Sequence, residues 1–232
     1  GALLAAPFIA VFLLLSFWKN STENYYSEIM KNDLTEGRMA FEKQLDIMCA
    51  GAFSVSNDSD LKWVYFLDGL KDGDNNIAAL IRCNDMLRQT FADSEHYQNY
   101  SVIMKNELIF RKSGMVVGDK FFYDNYCTYQ NTDFETWRKQ SFEWNTWQLF
   151  PLEEIDTGER TFQAMTFSYP VRNYIQQEPE ANAVVQFLLS KENLEQMFGQ
   201  LLSRQGGILI YDAEDRLLAS LGKINADGDD PE

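Results

Sequence analysis

The sequence predicts an α+β fold, an antiparallel sheet flanked by a long N-terminal helix, from three observations. Apolar residues recur in steps of three and four over about thirty residues after Lys19, the spacing of one helix face. Short runs rich in β-branched and aromatic residues follow, and turns join them. Of the 232 residues, 45% are apolar, which is enough for a hydrophobic core and excludes a largely disordered chain.

The first element is an uncharged stretch, ALLAAPFIAVFLLLSFW, from Ala2 to Trp18. As a helix it would be about 25 Å long, slightly short of a bilayer core, and Gly1 has no methionine before it. We therefore expect residues 1–19 to be a transmembrane helix whose start is missing. Trp18 and Lys19 suit the headgroup boundary. A cleaved signal peptide and a buried core helix are the alternatives, but no small-x-small cleavage site follows and no polar face is present.

A long helix from Asn20 to about Val55 should follow directly, ending at the polar cluster Ser56–Ser59. Its apolar stripe comprises Met30, Leu34, Gly37, Phe41, Leu45, Met48, Ala52 and Val55. Because the helix is continuous with the anchor, it could pass tilt or rotation of the soluble part to the bilayer.

Two covering helices are expected next. The first begins near Asp60, and the second follows a turn over residues 71–76. The apolar positions of the first are Leu61, Val64 and Leu67, and those of the second are Ile77, Leu80, Ile81, Leu87 and Phe91.

The strand-like runs come later in the chain. The sequence from Tyr100 to Gly114 predicts a hairpin that turns near Asn106, and residues 161–171 and 181–189 predict two more strands joined by a polar loop. Ser190 is a candidate N-cap for a helix ending at Gly206-Gly207, and the apolar face of that helix comprises Leu194, Met197, Phe198, Leu201 and Leu202. A last hairpin is expected from Gly207 to Ser220.

An aromatic stretch between Val116 and Phe150 shows no regular strand pattern. Thr132 and Glu135 fit a capping box that would start a short helix carrying Phe134, Trp137 and Phe142.

Charge and residue counts exclude several classes of function. With 35 acidic and 20 basic residues the net charge is −15, so the chain should not gather nucleic acid by bulk electrostatics. Three widely spaced cysteines and one histidine cannot supply an ordinary zinc site, and no metal or other cofactor is expected. The sequence leaves open whether any disulfide forms among Cys49, Cys83 and Cys127.

No enzymatic activity is expected. His96 is the only imidazole and has no G-x-S-x-G partner, and no phosphate-binding glycine loop is present. The acidic runs near Asp72 and at the C-terminus lack the spacing of a calcium loop and fit solvated turns better.

The order of elements resembles extracytoplasmic Cache sensors of the double-Cache type, which are PAS-like. More narrowly, the runs LIFRKSGMVVGDKFFYDNY, FSYPV and ILIYDAEDRLLAS, with Trp137 between the first two, resemble the sensor region of membrane-bound AraC-type transcription regulators of Gram-positive bacteria. The resemblance implies a membrane-distal sensor module over residues 20–205 and the first hairpin of a truncated proximal module over residues 206–232. It also implies a cytoplasmic DNA-binding output absent from this chain.

A small-ligand pocket needs apolar walls and a few fixed polar groups, and the aromatic stretch with its neighbours offers both. In Cache modules the sheet and this insertion generally bound the pocket. The candidate ligand-binding residues are Arg111, Tyr123, Asp124, Tyr126, Trp137, Trp144, Tyr169 and Arg172. The amino-acid-binding Cache pattern is poorly matched by FYDNYCTYQ, so amino-acid recognition is not expected.

The sequence thus predicts the extracytoplasmic, homodimeric ligand-sensing domain of a transmembrane receptor, binding an unknown small molecule or partner. A histidine kinase or a chemotaxis receptor could replace the AraC-type output. A second hypothesis is a dimerisation scaffold that pairs chains through Phe41, Leu45 and Met48 and binds no small molecule. A third, an exported enzyme or solute-binding protein, is disfavoured by the missing cleavage site and catalytic residues.

Overall fold

The structure is a computed structural model that describes residues 5–64, 73–91, 99–172, 181–204 and 207–223, with side chains from residue 24 onward except 63 and 73–76. Leu67, His96, the polar loop around Gln176–Glu180 and the acidic tail lie outside the described residues. The same is true of every side chain in the predicted transmembrane segment, residues 1–19.

Seven helices and nine strands make up the described part of the chain. The helices are α1 (Ala5–Ser56), α2 (Ser59–Val64), α3 (Gly73–Phe91), α4 (Asp119–Tyr126), α5 (Phe134–Glu143), α6 (Lys191–Met197) and α7 (Gly199–Ser203). The strands are β1 (Tyr100–Met104), β2 (Leu108–Arg111), β3 (Gly114–Val117), β4 (Thr128–Tyr129), β5 (Gln148–Asp156), β6 (Thr161–Val171), β7 (Ala183–Ser190), β8 (Gly207–Tyr211) and β9 (Leu217–Gly222).

The predicted fold class is confirmed: a long N-terminal helix precedes an antiparallel sheet. Seven strands form one sheet in the order β3-β2-β1-β7-β6-β5-β4, and β8 and β9 form a separate hairpin. The β6–β7 register pairs Ser168 with Gln186, and the β1–β7 register pairs Gln186 with Ser101. Because side chains alternate along a strand, Gln186 and Ser168 face one side of the sheet while their neighbours Val185 and Tyr169 face the other.

The long helix α1 runs to Ser56 as predicted, and its apolar stripe lies on the core from Gly37 onward. Met30 and Leu34, predicted in the same stripe, are 47% and 46% exposed and lie outside the core. Gly37 permits a close approach to α6, since a Cβ there would lie 2.2 Å from Cδ1 of Phe198. An ion pair of 2.8 Å between Asp33 and Arg204 adds a second link between α1 and the segment after β7.

The stripe that the scaffold hypothesis assigns to chain pairing is used inside this chain. Met48 is fully buried, and Phe41 and Leu45 pack partly buried against the same core. That surface is therefore not free to pair two chains.

Helix α3 begins earlier than predicted, and a different side of the helix is buried. It includes residues 73–76, which were expected to form a turn. Ile77 and Ile81 are more than half exposed, while Ala79 and Cys83 occupy the buried face with Leu80 and Leu87. The predicted apolar stripe differs from the buried face because it includes both isoleucines, which are exposed.

The aromatic stretch contains more regular structure than its sequence indicates. It holds β3 at its edge, α4, β4, α5 and the start of β5. The N-cap of α5 is Asp133, which accepts a 2.8 Å hydrogen bond from Thr136 N–H, so the capping box expected at Thr132 is wrong by one residue. The Ser190 cap is confirmed, with its Oγ accepting from Asn193 N–H at 3.2 Å.

Two core clusters lie on opposite faces of the sheet. One face is covered by α1, α2, α3, α6 and α7 together with the C-terminal hairpin, and we call it the helical face. The other face is covered by α4 and α5 and carries the aromatic cluster, and we call it the aromatic face.

The hairpin of β8 and β9 packs on the helical face, where Ile208, Leu218 and Leu221 join the same core cluster as α1. Its assignment to a second, membrane-proximal module stays a prediction.

No helix among the residues with described side chains combines the length and the apolarity needed to cross a membrane.

Candidate functional site

A cavity of about 360 Å³ lies on the aromatic face, between the sheet and α5, and we call it the main cavity because buried polar side chains line it. Strands β4, β5, β6 and β7 form its floor and helix α5 its roof. Its lining comprises Tyr129, Asn131, Thr132, Trp137, Gln140, Ser141, Phe150, Pro151, Leu152, Glu153, Thr166 and Gln186. The cavity is in the size range of small-molecule sites and mixes aromatic walls with a few polar groups.

An irregularity in β5 helps to open this cavity. The register with β6 shifts between Phe150 and Glu153, and Pro151 occupies the shifted segment. Proline cannot donate a ladder hydrogen bond, so it is tolerated at such an irregularity. Phe150, Leu152 and Glu153 all belong to the lining of the cavity at this irregular segment.

A buried polar network joins the roof to the floor. The Ser141 hydroxyl donates to the Trp137 carbonyl at 2.8 Å, and Gln186 Nε2 donates to Ser141 Oγ at 3.0 Å. Trp137 and Gln186 are 3% and 2% exposed. Trp137 Nε1 and Gln186 Oε1 are nevertheless left without a hydrogen-bond partner. A buried polar atom without a partner costs about 1–3 kcal/mol, so this network contains one unsatisfied donor and one unsatisfied acceptor.

A second polar pair lies deeper in the floor. The Tyr129 hydroxyl and Thr166 Oγ1 are 2.8 Å apart and share a hydrogen bond. Burial raises the pKa of Tyr129 well above its ordinary value, so this phenol stays neutral. The pair fixes the ring that forms one wall of the cavity.

Glu153 lies at the cavity rim, where it is held by the loop before α5. Its Oε2 accepts a hydrogen bond from Thr132 Oγ1 at 3.1 Å, and its Oε1 accepts from the Asn131 N–H. The Thr132 carbonyl in turn accepts from the Tyr123 hydroxyl. These contacts orient the carboxylate.

The aromatic cluster behind the cavity fixes the position of Trp137. The Tyr123 ring centroid lies 5.4 Å from that of Trp137 and 5.7 Å from that of Phe134. Arg138 pairs with buried Asp119 at 2.7 Å and so links α5 to α4. Burial raises the pKa of Asp119, and the Arg138 guanidinium opposes that effect.

A second cavity of about 460 Å³ opens on the same face, beside α4 and the turn between β5 and β6. Arg111, Lys112 and Arg160 give its lining a basic character, with Glu159 as the acidic member. The Arg111 guanidinium lies 4.0 Å from the Tyr126 ring centroid and 3.3 Å from the Glu159 carboxylate. Arg111 is thus already occupied by two partners.

The structure divides the eight sequence-predicted site residues among several places. Trp137 lines the main cavity and Tyr123 supports it, while Arg111 and Tyr126 line the second cavity. Tyr169 packs on the helical face instead.

The remaining three lie away from both cavities. Asp124 is exposed and pairs with Lys120 at 2.9 Å, and Trp144 is 37% exposed. Arg172 is half-buried and donates to the Asn145 side chain.

The polar residues of the main cavity were missed by the sequence reasoning. Gln186 and Thr166 each interrupt an apolar strand run, and a glutamine inside ANAVVQFLL was the available signal. Ser141 and Glu153 carried no comparable signal, because each lies among other polar residues.

The three cysteines of the chain are free thiols. Burial raises the pKa of Cys127, beneath the aromatic cluster, to about 12. Among the side chains that the structure describes, no group of histidine, cysteine and acidic residues could hold a metal ion.

Comparison with known proteins shows that the backbone of this chain follows a course similar to that of several solved structures. No family model and no curated protein matches the chain. The sensory domain of the Campylobacter jejuni chemoreceptor Tlp3 (CcmL) with isoleucine bound has a TM-score of 0.49 at 14% identity, over 84% of this chain and 71% of that one. The ligand-binding domain of the same receptor with L-valine scores 0.46 at 13% identity, over 84% and 72% of the two chains.

The periplasmic domain of Vibrio cholerae LuxQ has a TM-score of 0.43 at 8% identity, over 87% of this chain and 81% of that one. The first two of these structures are domains of a chemoreceptor, and the third is a periplasmic domain. At such low identity no ligand is carried over from them.

Proposed function

We propose that this chain is the ligand-sensing domain of a receptor and that the main cavity binds a small molecule. The observation that carries the proposal is the pair of buried atoms without partners, Trp137 Nε1 and Gln186 Oε1, which belong to two residues that line one cavity. Unpaired buried polar groups are rare in folded proteins. A ligand that bound to both groups would explain why they are retained. No catalytic role is proposed.

A route from the cavity to α1 supports sensing over simple storage. Gln186 lies on β7, which leads through the Ser190 cap into α6, and Phe198 after α6 rests on Gly37 of α1. A ligand that bound one position of β7 more tightly than another would shift the population of α1 positions. Moving most of a population requires a differential affinity of about 5 kcal/mol.

Membrane attachment, an extracytoplasmic location and a homodimeric state belong to the same proposal. The uncharged run before Lys19 supports attachment. Tyr26, Met30 and Leu34 lie four residues apart on α1 and are each about half exposed, which supports pairing of two helices. Fractionation of cells that express the chain, followed by protease accessibility and cross-linking at Met30→Cys, would test location and pairing; a protease-protected cytosolic monomer would contradict both.

An AraC-type output stays part of the proposal, supported by the sequence resemblance alone. A histidine kinase or chemotaxis receptor is the alternative. The sequence that follows Glu232 in the full gene decides between them: two helix-turn-helix motifs support the first, and a histidine-bearing or methylation helix contradicts it.

The binding site is tested by a metabolite screen that measures thermal unfolding of the purified chain, with calorimetry on every hit. We expect a hit to raise the unfolding temperature, since a ligand that binds only the native state stabilises it. Trp137→Phe and Gln186→Met should each weaken the hit by about tenfold, the loss of one buried hydrogen bond.

Trp147→Phe is the matched control, because Trp147 is 43% exposed and stacks on Phe167 away from the main cavity. Equal weakening by all three variants, or a screen of broad chemical coverage with no hit, would overturn the proposal.

A further inference from the structure

The main cavity contains hydrogen-bonding groups but no positive charge. None of the described residues that line it is lysine, arginine or histidine, and Glu153 is its one acidic residue. The whole chain carries a net charge of −15, so the surrounding field does not compensate for the missing cation. A carboxylate or phosphate taken into this cavity would lose its hydration without gaining a charged partner.

The polar groups of the cavity favour ligands that donate hydrogen bonds. Gln186 Oε1 is an acceptor with no partner, and the Glu153 carboxylate keeps acceptor capacity beyond its bonds from Thr132 and Asn131. One buried donor without a partner, Trp137 Nε1, belongs to a residue of the same lining. A hydroxyl can serve both kinds of group, and an ammonium can serve the acceptors.

The aromatic walls of the cavity also favour a ligand without negative charge. Tyr129, Trp137 and Phe150 are the aromatic residues of the lining. An ammonium above an aromatic face is stabilised, whereas a carboxylate there is repelled by the same electron density.

Three positively charged side chains of this face line the other cavity. Arg111, Lys112 and Arg160 line it, and the main cavity shares none of these residues. The two sites are therefore electrostatically distinct although they share one face of the sheet.

We infer that the main cavity takes a small ligand that has an apolar body, carries no negative charge and presents a hydrogen-bond donor, an amine or an alcohol. The inference rests on the proposed function, since it specifies the chemistry of that same site. It sets the cavity apart from one that grips a carboxylate with arginine.

The test uses three probes with one hydrocarbon body and different head groups: isoamylamine, isoamyl alcohol and isovalerate. Dissociation constants are measured at neutral pH by NMR titration of the purified chain. We expect the amine and the alcohol to bind at least about tenfold more tightly than isovalerate.

The variant Glu153→Gln separates charge from shape. It should weaken the amine by about three- to tenfold and leave the alcohol unchanged, because a carboxylate contributes more to an ammonium than to a hydroxyl. Glu154→Gln is the matched control, since Glu154 is the next residue of β5 and its side chain lies outside the lining. It should leave all three probes unchanged.

The possible failures are distinguishable. Isovalerate binding as tightly as the amine, with Trp137→Phe weakening both, overturns the inference and leaves the proposed function standing. Equal effects of Glu153→Gln and Glu154→Gln on the amine also overturn it. If neither the probes nor any compound of the metabolite screen binds, the proposed function and the inference fail together.

Discussion

The two faces of the seven-stranded sheet differ in the polarity of their buried side chains. On the helical face the fully buried side chains of β1, β6 and β7 are apolar and pack against helices α1, α3 and α6. On the aromatic face the same strands present buried polar residues to a thinner cover of α4 and α5. The buried polar residues of that face are Asp119, Ser141, Thr166, Ser168 and Gln186.

The difference indicates that strand alternation separates the apolar core of the helical face from the proposed binding site. Val185 and Gln186 are neighbours on β7, yet one lies in a close-packed apolar core and the other lines a cavity. A buried polar group with an incomplete set of hydrogen bonds lowers stability, so it persists where it serves a function. A sheet can tolerate this on one face because the other face supplies the core.

The largest expected effect tests which face holds the fold. Phe187 is 1% exposed on the helical face, with its ring centroid 5.4 Å from that of Phe91 and 6.1 Å from that of Phe167. Phe187→Ala should cost about 3–5 kcal/mol of unfolding free energy, because it removes buried area and leaves a cavity. Chemical denaturation monitored by circular dichroism measures the loss.

Leu188→Ala is the comparison, since Leu188 follows Phe187 and lies half-buried on the aromatic face, lining the second cavity. It should cost less than half as much, because a half-buried side chain loses less buried area. Equal losses would contradict the division of roles between the faces.

A smaller effect on stability is expected when a polar group is introduced at Val185 or removed at Gln186. Val185→Thr places an isosteric hydroxyl in the apolar core of the helical face and should cost about 1–3 kcal/mol. Gln186→Met keeps the approximate shape of the side chain. It removes an acceptor without a partner, a gain, but also loses the hydrogen bond from Nε2 to Ser141, so the two effects offset and stability should change by less than about 1 kcal/mol in either direction. Thermal unfolding of both variants measures the contrast, and a Gln186→Met loss equal to that of Val185→Thr would refute it.

The smallest expected effect is a difference in alkylation rate between two thiols, one from each face. Burial raises the pKa of Cys83 and of Cys127 to about 12, so both thiols should react slowly with iodoacetamide in the native protein at pH 8. Cys127 should still be alkylated before Cys83, since the thinner layer of α4 and α5 opens at lower cost. Peptide mass spectrometry over a time course measures the order.

The same thiols give a pH dependence whose sign is fixed. Their pKa is higher in the folded protein than the ordinary 9.0, so the folded state binds their protons more tightly. Their contribution to stability is complete below about pH 9 and is lost as the pH rises toward 12. Stability that is unchanged between pH 8 and pH 11 would contradict burial of these groups.

Much of the fold was predictable because its signals are local. The periodicity of α1, the Ser190 cap and the apolar runs of β1, β6 and β7 are each readable within one segment. Strand β5 was missed for a physical reason: the register shift between Phe150 and Glu153 breaks the alternation that marks a strand. The offset of α3 arose because Ile77 and Ile81 are exposed despite their apolarity.

The site was predictable in its aromatic half only. Trp137 stands out by residue type, and its helix carries a readable N-cap. Gln186 and Thr166 become site residues through register, because pairing of β7 with β6 decides which face they share. That pairing is a long-range property, so a segment read by itself cannot show which of its polar residues will meet.

The contact between Gly37 and Phe198 gives α1 the geometry of a lever. At 1.5 Å per residue, the helix from Ala5 to Gly37 is about 48 Å long. A tilt of about 5° at this pivot would sweep the far end through about 4 Å, several times the motion at the pivot. If the response that we propose tilts α1 about this contact, a small readjustment beneath the sheet would become a displacement of several ångströms at the amino end.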